Sequence, residues 1–92
     1  MALLNDAQIK QALPELAGWK QNGNAIEKNF EFADFKAAMA FVNKMADLAE
    51  QANHHPDIDI RYNKVKLSLV SHDSGGVTDR DVRMAERINQ TA

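Results

Sequence analysis

The stretch DIDIRYNKVKLSLVS, residues 57–71, alternates apolar and polar side chains along both of its halves. Side chains that repeat every two residues lie on one face of a β-strand, so the pattern predicts two strands that bury the same face. Asn63 and Lys64 stand between the halves as a two-residue turn. The stretch is therefore predicted to be a β-hairpin whose apolar face packs against other elements of the chain.

The apolar residues also predict how the two strands are paired. The predicted pairs are Tyr62 with Val65, Ile60 with Leu67, and Ile58 with Leu69. A slip of one residue would set this apolar stripe against charged neighbours, which disfavours it. Continued to the open end of the hairpin, the same pairing places His55 opposite His72.

Local signals predict the other elements. A capping box at Asn5–Gln8 begins a first helix, which Pro14 ends or distorts. The turn signal Asn22-Gly23-Asn24 joins two strands into an earlier hairpin. Asp34 caps a long amphipathic helix, which ends near Asn53 because Pro56 disfavours helical geometry in the residue before it.

A second capping box, Thr78–Asp81, begins the last helix. The predicted order is therefore helix, hairpin, long helix, hairpin, helix, or α-β-β-α-β-β-α. We expect residues 1–92 to form a single α+β domain with two layers. One layer is a four-stranded, largely antiparallel sheet, and the helices pack on one face of it.

Composition excludes several classes of function. The 92 residues carry 11 basic and 13 acidic side chains, mixed along the chain, so no basic surface for nucleic acid is expected. No apolar run approaches the roughly 18 residues of a membrane span, and a cytoplasmic protein without membrane contact is the expectation. The absence of cysteine excludes disulfides, thiolate nucleophiles and cysteine-ligated zinc.

The three histidines are the candidate chemical groups. His54 and His55 are adjacent, and the predicted hairpin brings His72 to the same end of the sheet. Histidine titrates near neutral pH, so such a cluster suits acid/base catalysis. Partly exposed loop histidines and a zinc site remain alternatives from the residues alone, although two adjacent histidines on an extended backbone diverge rather than converge on one ion. Asp81 is equally explained as a helix cap.

A longer pattern gives these residues a family context. It runs through the histidines and continues into the last helix: Glu50-x3-His54-His55-Pro56-x5-Tyr62-x9-His72-x8-Asp81. The pattern resembles that of the pterin-4a-carbinolamine dehydratase family. The resemblance covers the chain from Gly18-Trp19 to the last helix. The resemblance implies a hydro-lyase that converts 4a-hydroxytetrahydropterin, such as 4a-hydroxytetrahydrobiopterin, to quinonoid dihydropterin and water during pterin recycling.

The resemblance also implies roles for individual residues. His54 and His72 would be the acid/base pair, His55 would position the substrate and share their work, and Asp81 would support a histidine. The residues implied to contact the pterin are Asn53, His54, His55, Ser71, His72 and Asp73. This chain has Asn53 where the best-known form of the motif has an aspartate before the histidine pair, and Asp73 where that form has a glutamate after the third histidine.

The remaining expectations concern cofactors and partners. The pterin is the substrate, so no metal and no organic cofactor is implied. Members of the family form homodimers or homotetramers, and we expect one of these here. A non-catalytic assembly or transcriptional-regulatory protein on the same fold is the alternative function. Three imidazoles gathered at one cleft favour the enzyme, because a scaffold has no chemical need for them.

Overall fold

A computed structural model describes residues 2–92. Its elements, in chain order, are α1 (Asp6–Ala12), a 3-10 turn (Leu13–Glu15), β1 (Lys20–Asn22), β2 (Ala25–Glu31), α2 (Phe35–Ala52), β3 (Asp57–Arg61), β4 (Lys64–Leu69) and α3 (Asp79–Thr91). The four strands form one sheet in the order β1-β2-β4-β3, and every neighbouring pair is antiparallel. The predicted α+β class and element order are confirmed.

Caps and proline set the ends of the helices as predicted. The Asn5 side chain accepts the backbone N–H of Gln8, and the Gln8 side chain accepts that of Asn5. Helix α1 passes into the 3-10 turn that contains Pro14. Asp34 caps α2 by accepting the N–H of Ala37, and a capping box begins α3.

The core lies between the sheet and helices α2 and α3. Val65 and Leu67 of β4 are almost wholly buried there, together with Met45 of α2 and Ile88 of α3. Because β4 is the second strand from the edge, its alternate residues project into the middle of this core. The intervening β4 residues lie on the opposite, helix-free face.

The predicted pairing of the second hairpin is wrong by two residues. Ile58 lies opposite Leu67 and Ile60 opposite Val65, and the loop consists of Tyr62 and Asn63. A slip of two residues leaves every side chain on its predicted face, so the prediction of the buried face survives the error. The predicted apposition of His55 and His72 across the strands does not survive, because β3 begins only at Asp57.

Asn63 joins the loop of this hairpin to the neighbouring strand β2. Its backbone carbonyl accepts the N–H of Phe32, and its side-chain amide donates to the Phe32 carbonyl at 2.8 Å. These bonds hold the hairpin loop against the end of β2. Tyr62 takes a left-handed backbone conformation, with φ of 53°, and its ring is exposed instead of facing Val65.

Candidate active site

The three histidines reach one cleft from two directions. His54 and His55 follow the end of α2, while His72 lies in the turn after β4, where Ser71 forms an isolated bridge with Gly76. The cleft has a volume of about 280 Å³. It is lined by Asn53, His54, His55, Val70, Ser71, His72, Asp73 and Arg80. All six residues expected to contact the substrate therefore border the same cleft.

His54 is held by the buried carboxylate of Asp81. Its Nε2 lies 2.5 Å from Asp81 Oδ1, and only a tenth of the His54 side chain is exposed. An ionised carboxylate accepts hydrogen bonds and donates none, so His54 donates through Nε2–H. The other ring nitrogen, Nδ1, has no hydrogen-bond partner among residues 2–92 and remains available to exchange a proton.

The Asp81 carboxylate is itself fixed by two further donors. Oδ2 accepts the backbone N–H of Thr78 and the hydroxyl of Ser71, each at 2.8 Å. One oxygen therefore caps α3 while the other orients His54. Asp81 therefore both caps α3 and holds a histidine, two roles that do not exclude each other.

Ser71 acts on the cleft through Asp81. Its side chain is buried, and its hydroxyl lies 2.8 Å from both Asp81 Oδ2 and Thr78 Oγ1. Its backbone carbonyl accepts N–H groups from the turn at residues 74–76. The hydroxyl and the backbone carbonyl of Ser71 are thus hydrogen-bonded within the protein. Its expected contact with the pterin remains a prediction.

His55 is paired with Glu50 in the exposed part of the site. Their Nε2 and Oε2 atoms lie 2.5 Å apart, with 57% of the His55 side chain and 78% of the Glu50 side chain exposed. In the sequence, Glu50 is most simply a solvated residue near the end of a helix. Glu50 lies five residues before His55, on the last turn of α2, and this spacing is the feature of the sequence that indicates the contact.

Replacing His55 with alanine is expected to raise KM by about 10- to 100-fold and to change kcat less. The change removes one imidazole from the wall of the cleft but leaves the His54–Asp81 pair intact. Steady-state kinetics on the carbinolamine would separate the two constants. Glu50→Gln is the matched control, and its effect should stay below about fivefold because the pair is exposed. A fall in kcat alone would contradict this assignment.

His72 is the most exposed of the three imidazoles. Its Nε2 lies 3.9 Å from Asp57 Oδ1, with 73% of the side chain exposed. His72 also borders a larger concavity on the helix-free face of the sheet, which Asp57 shares. His72 therefore lies at the exposed rim of the cleft, whereas His54 is almost buried.

Arg80 is a cleft residue that the sequence did not single out. It donates from Nη2 to Asp73 Oδ1 at 2.7 Å, and this hydrogen bond lowers the pKa of the Asp73 carboxyl. Asp73 therefore stays ionised into the acid range beside the histidines. Asp73 lies in the turn after β4, and Arg80 lies seven residues later in the first turn of α3. Their ion pair therefore joins these two segments.

Asn53 has a structural role besides its place in the cleft. It ends α2 in the left-handed conformation, with φ of 50° and ψ of 41°. Asparagine is one of the few residues with a side chain that tolerates this geometry well. The backbone therefore restricts the residue type at position 53 independently of any contact with a substrate.

Asn53→Ala is expected to lower the free energy of unfolding by about 1 kcal/mol, whereas Asn53→Gly should stay close to the parent. Chemical denaturation would measure both. If the amide also contacts the pterin, as expected, KM should rise about three- to tenfold in both variants. An unchanged KM in both would restrict Asn53 to its backbone role.

A family model described as pterin 4 alpha carbinolamine dehydratase matches residues 2–91. The chain belongs to this family. A relative from Koribacter versatilis carries the provisional name pterin-4-alpha-carbinolamine dehydratase; it is 59% identical over 87 residues, which cover 95% of this chain and 93% of the relative. A relative of the same provisional name from Thermomicrobium roseum is 49% identical over 92 residues, covering 100% and 99% of the two chains.

Two solved structures resemble the fold. The crystal structure of a transcriptional coactivator/pterin dehydratase from Brucella melitensis matches with a TM-score of 0.90 and 36% identity, covering 97% of each chain. A pterin dehydratase-like protein identified as a RuBisCO assembly factor in the alpha-carboxysome matches with a TM-score of 0.69 and 23% identity, covering 82% of this chain and 89% of that one. The second likeness concerns the fold alone.

Two further observations bear on this pterin 4 alpha carbinolamine dehydratase family member. Within residues 2–92, no three histidine, aspartate or glutamate side chains are grouped closely enough to hold a metal ion. Over the same range, no helix is both long and apolar enough to cross a membrane. The family match is consistent with a small-molecule, pterin-related substrate and with a lyase of the dehydratase type.

Proposed function

We propose that the protein dehydrates 4a-hydroxytetrahydropterin, giving quinonoid dihydropterin and water, by acid/base catalysis from its histidines. The observation that carries this proposal is the His54–Asp81 pair beside two further imidazoles in one cleft of a member of this family. The reaction would return the pterin released by an aromatic amino acid hydroxylase to its recycling pathway.

The chemistry requires two proton transfers at opposite sides of one ring. Breaking the C4a–O bond requires a proton on the departing oxygen, which leaves as water. A ring nitrogen loses a proton as the new C=N bond forms. No electrons are transferred to or from the pterin, so the reaction needs an acid and a base but no redox partner.

The imidazoles of the cleft can supply both groups. His54 holds its Nε2 proton toward Asp81, so Nδ1 is the atom that takes up or returns a proton. His72, at the exposed rim of the cleft, serves the second transfer. His55, hydrogen-bonded to Glu50, holds the substrate between them.

The test is a stopped-flow assay on freshly generated 4a-hydroxytetrahydropterin, following its ultraviolet absorbance with and without the protein. Dehydration well above the buffer rate is the expected result. No acceleration by folded protein would refute the proposal. A stoichiometric protein partner recovered from the native cell would then favour a non-catalytic assembly or regulatory function; the two structural relatives are named as a transcriptional coactivator/pterin dehydratase and as a RuBisCO assembly factor.

The proposed mechanism uses no metal and no organic cofactor. Elemental analysis of the purified protein is expected to find less than stoichiometric zinc, and activity should survive chelation. About one zinc per chain, lost together with activity on chelation, would instead favour metal-assisted chemistry.

We also propose that the chain forms a homodimer or homotetramer. Supporting this, the edge strand β3 exposes more than a third of both Ile58 and Ile60, and Tyr62 and Phe35 are at least half exposed. Exposed apolar side chains grouped along a strand edge are typical of an interface. Light scattering coupled to size exclusion would measure the mass, and a monomer at micromolar concentration would contradict the proposal.

A further inference from the structure

A second groove, lined by arginines, adjoins the histidine cleft. Its volume is about 220 Å³, and it is lined by Ala52, His54, Arg80, Arg83, Met84 and Arg87. His54 and Arg80 also line the histidine cleft, so the two depressions share a wall. The second groove is therefore adjacent to the part of the cleft that His54 and Arg80 line.

The arginines form a stripe along one face of α3. Arg80, Arg83 and Arg87 are spaced at i, i+3 and i+7, which places them on the same side of a helix. They are three of the four arginines in the chain, and none of its seven lysines lines the groove. Arginine differs from lysine in its planar set of donors, which matches carboxylate and phosphate oxygens in pairs.

Most of this positive charge is uncompensated. Asp73 pairs with Arg80, but no carboxylate within residues 2–92 lies at ion-pair distance from Arg83 or Arg87. Arg87 donates to the neutral amide of Gln51 at 3.3 Å. Arg80 Nε is buried and has no acceptor in the described part of the chain. Buried donors without acceptors are uncommon in proteins, and this one borders both depressions.

We propose that this groove binds an anionic group, a phosphate or a carboxylate, on the side chain of a pterin whose ring occupies the histidine cleft. The inference rests on the proposed function for the position of the ring. It adds that the natural substrate carries a negatively charged substituent. The groove places Arg83 and Arg87 to contact that substituent, while the ring stays against His54.

Binding of three fluorescent oxidised pterins would test this directly: 6-hydroxymethylpterin, its phosphate monoester and 6-carboxypterin. We expect the anionic pterins to bind about 10- to 100-fold more tightly than the neutral one, as for charge-assisted hydrogen bonds. The preference should weaken at high salt. The order of the phosphate and the carboxylate identifies which anion the groove fits better.

The decisive variant is Arg83→Gln with Arg87→Gln, which spares Arg80 and the histidines. It should lose the preference for anionic pterins and retain the affinity for the neutral one. Arg61→Gln is the matched control, because this fourth arginine lies on β3, away from the groove. Equal binding of all three pterins, or a preference that persists in the double variant, would overturn the inference.

The same measurements separate this inference from the proposed function. If the neutral carbinolamine is dehydrated and no anionic preference exists, the enzyme stands and the anion groove is refuted. If no carbinolamine is dehydrated but the arginine-dependent preference is present, the groove stands and the dehydratase is refuted. If no carbinolamine is dehydrated and none of the three pterins binds, both are refuted.

Discussion

Replacing His72 with alanine is expected to slow dehydration by about two to four orders of magnitude, the usual loss when a general acid or base is removed. The side chain is 73% exposed and makes one long contact, 3.9 Å, with Asp57. Its removal should therefore leave folding stability almost unchanged. Stopped-flow rates, with thermal unfolding measured on the same samples, would separate a chemical loss from a structural one.

Two controls sharpen the His72 experiment. Asp57→Asn removes the neighbouring charge but keeps the imidazole, and an exposed pair of this kind should change the rate by less than about fivefold. Added imidazole should partly restore the His72→Ala rate, because the vacated position is open to solvent. Near-parental turnover by His72→Ala would exclude His72 from proton transfer and leave His54 to be tested alone.

Local signals in the sequence were sufficient for the fold. Pro14, the Asn22-Gly23-Asn24 turn, the Asp34 cap and the Thr78–Asp81 capping box each act within a few residues, so each can be interpreted without knowing the rest of the structure. The alternation in residues 57–71 likewise identifies the buried face, because successive side chains of a strand lie on opposite faces and a slip of two residues does not change the face.

Pairing between distant segments could not be predicted in the same way. Tyr62 opposite Val65 gave the better apolar match, but β4 also pairs with β2, and hydrogen bonds between Asn63 and Phe32, 31 residues apart, hold the loop at the end of β2. No local pattern contains that contact. The two-residue error then produced a wrong account of how His55 and His72 approach each other, although both border one cleft.

The missed site residues have the same origin. Glu50 belongs to the family pattern but was given no role, Arg80 was not singled out, and the contacts of both depend on partners supplied by the folded cleft. The arginine stripe is visible in the sequence as a helical spacing. Its relation to His54 is not visible, because the groove forms only where α3 packs beside the end of α2.

Asp81→Asn is expected to lower kcat by about two to four orders of magnitude, because the new side chain would hold His54 in the wrong tautomer. The asparagine oxygen can still accept the Thr78 N–H and cap α3. Its NH2 group would then donate to His54 Nε2, which moves the ring proton to Nδ1. The lone pair that the proposed mechanism uses would be lost, while the shape of the site stays almost the same.

Ser71→Ala is the matched control for Asp81→Asn, since it removes a hydrogen bond to the same carboxylate without touching the oxygen that holds His54. It should cost about 1 kcal/mol of stability and less than tenfold in rate. Thermal unfolding of both variants, compared with their kcat values, distinguishes support of α3 from support of His54. If Asp81→Asn lost stability and kept its rate, the Asp81 carboxylate would be a helix cap, and His54 would exchange protons without it.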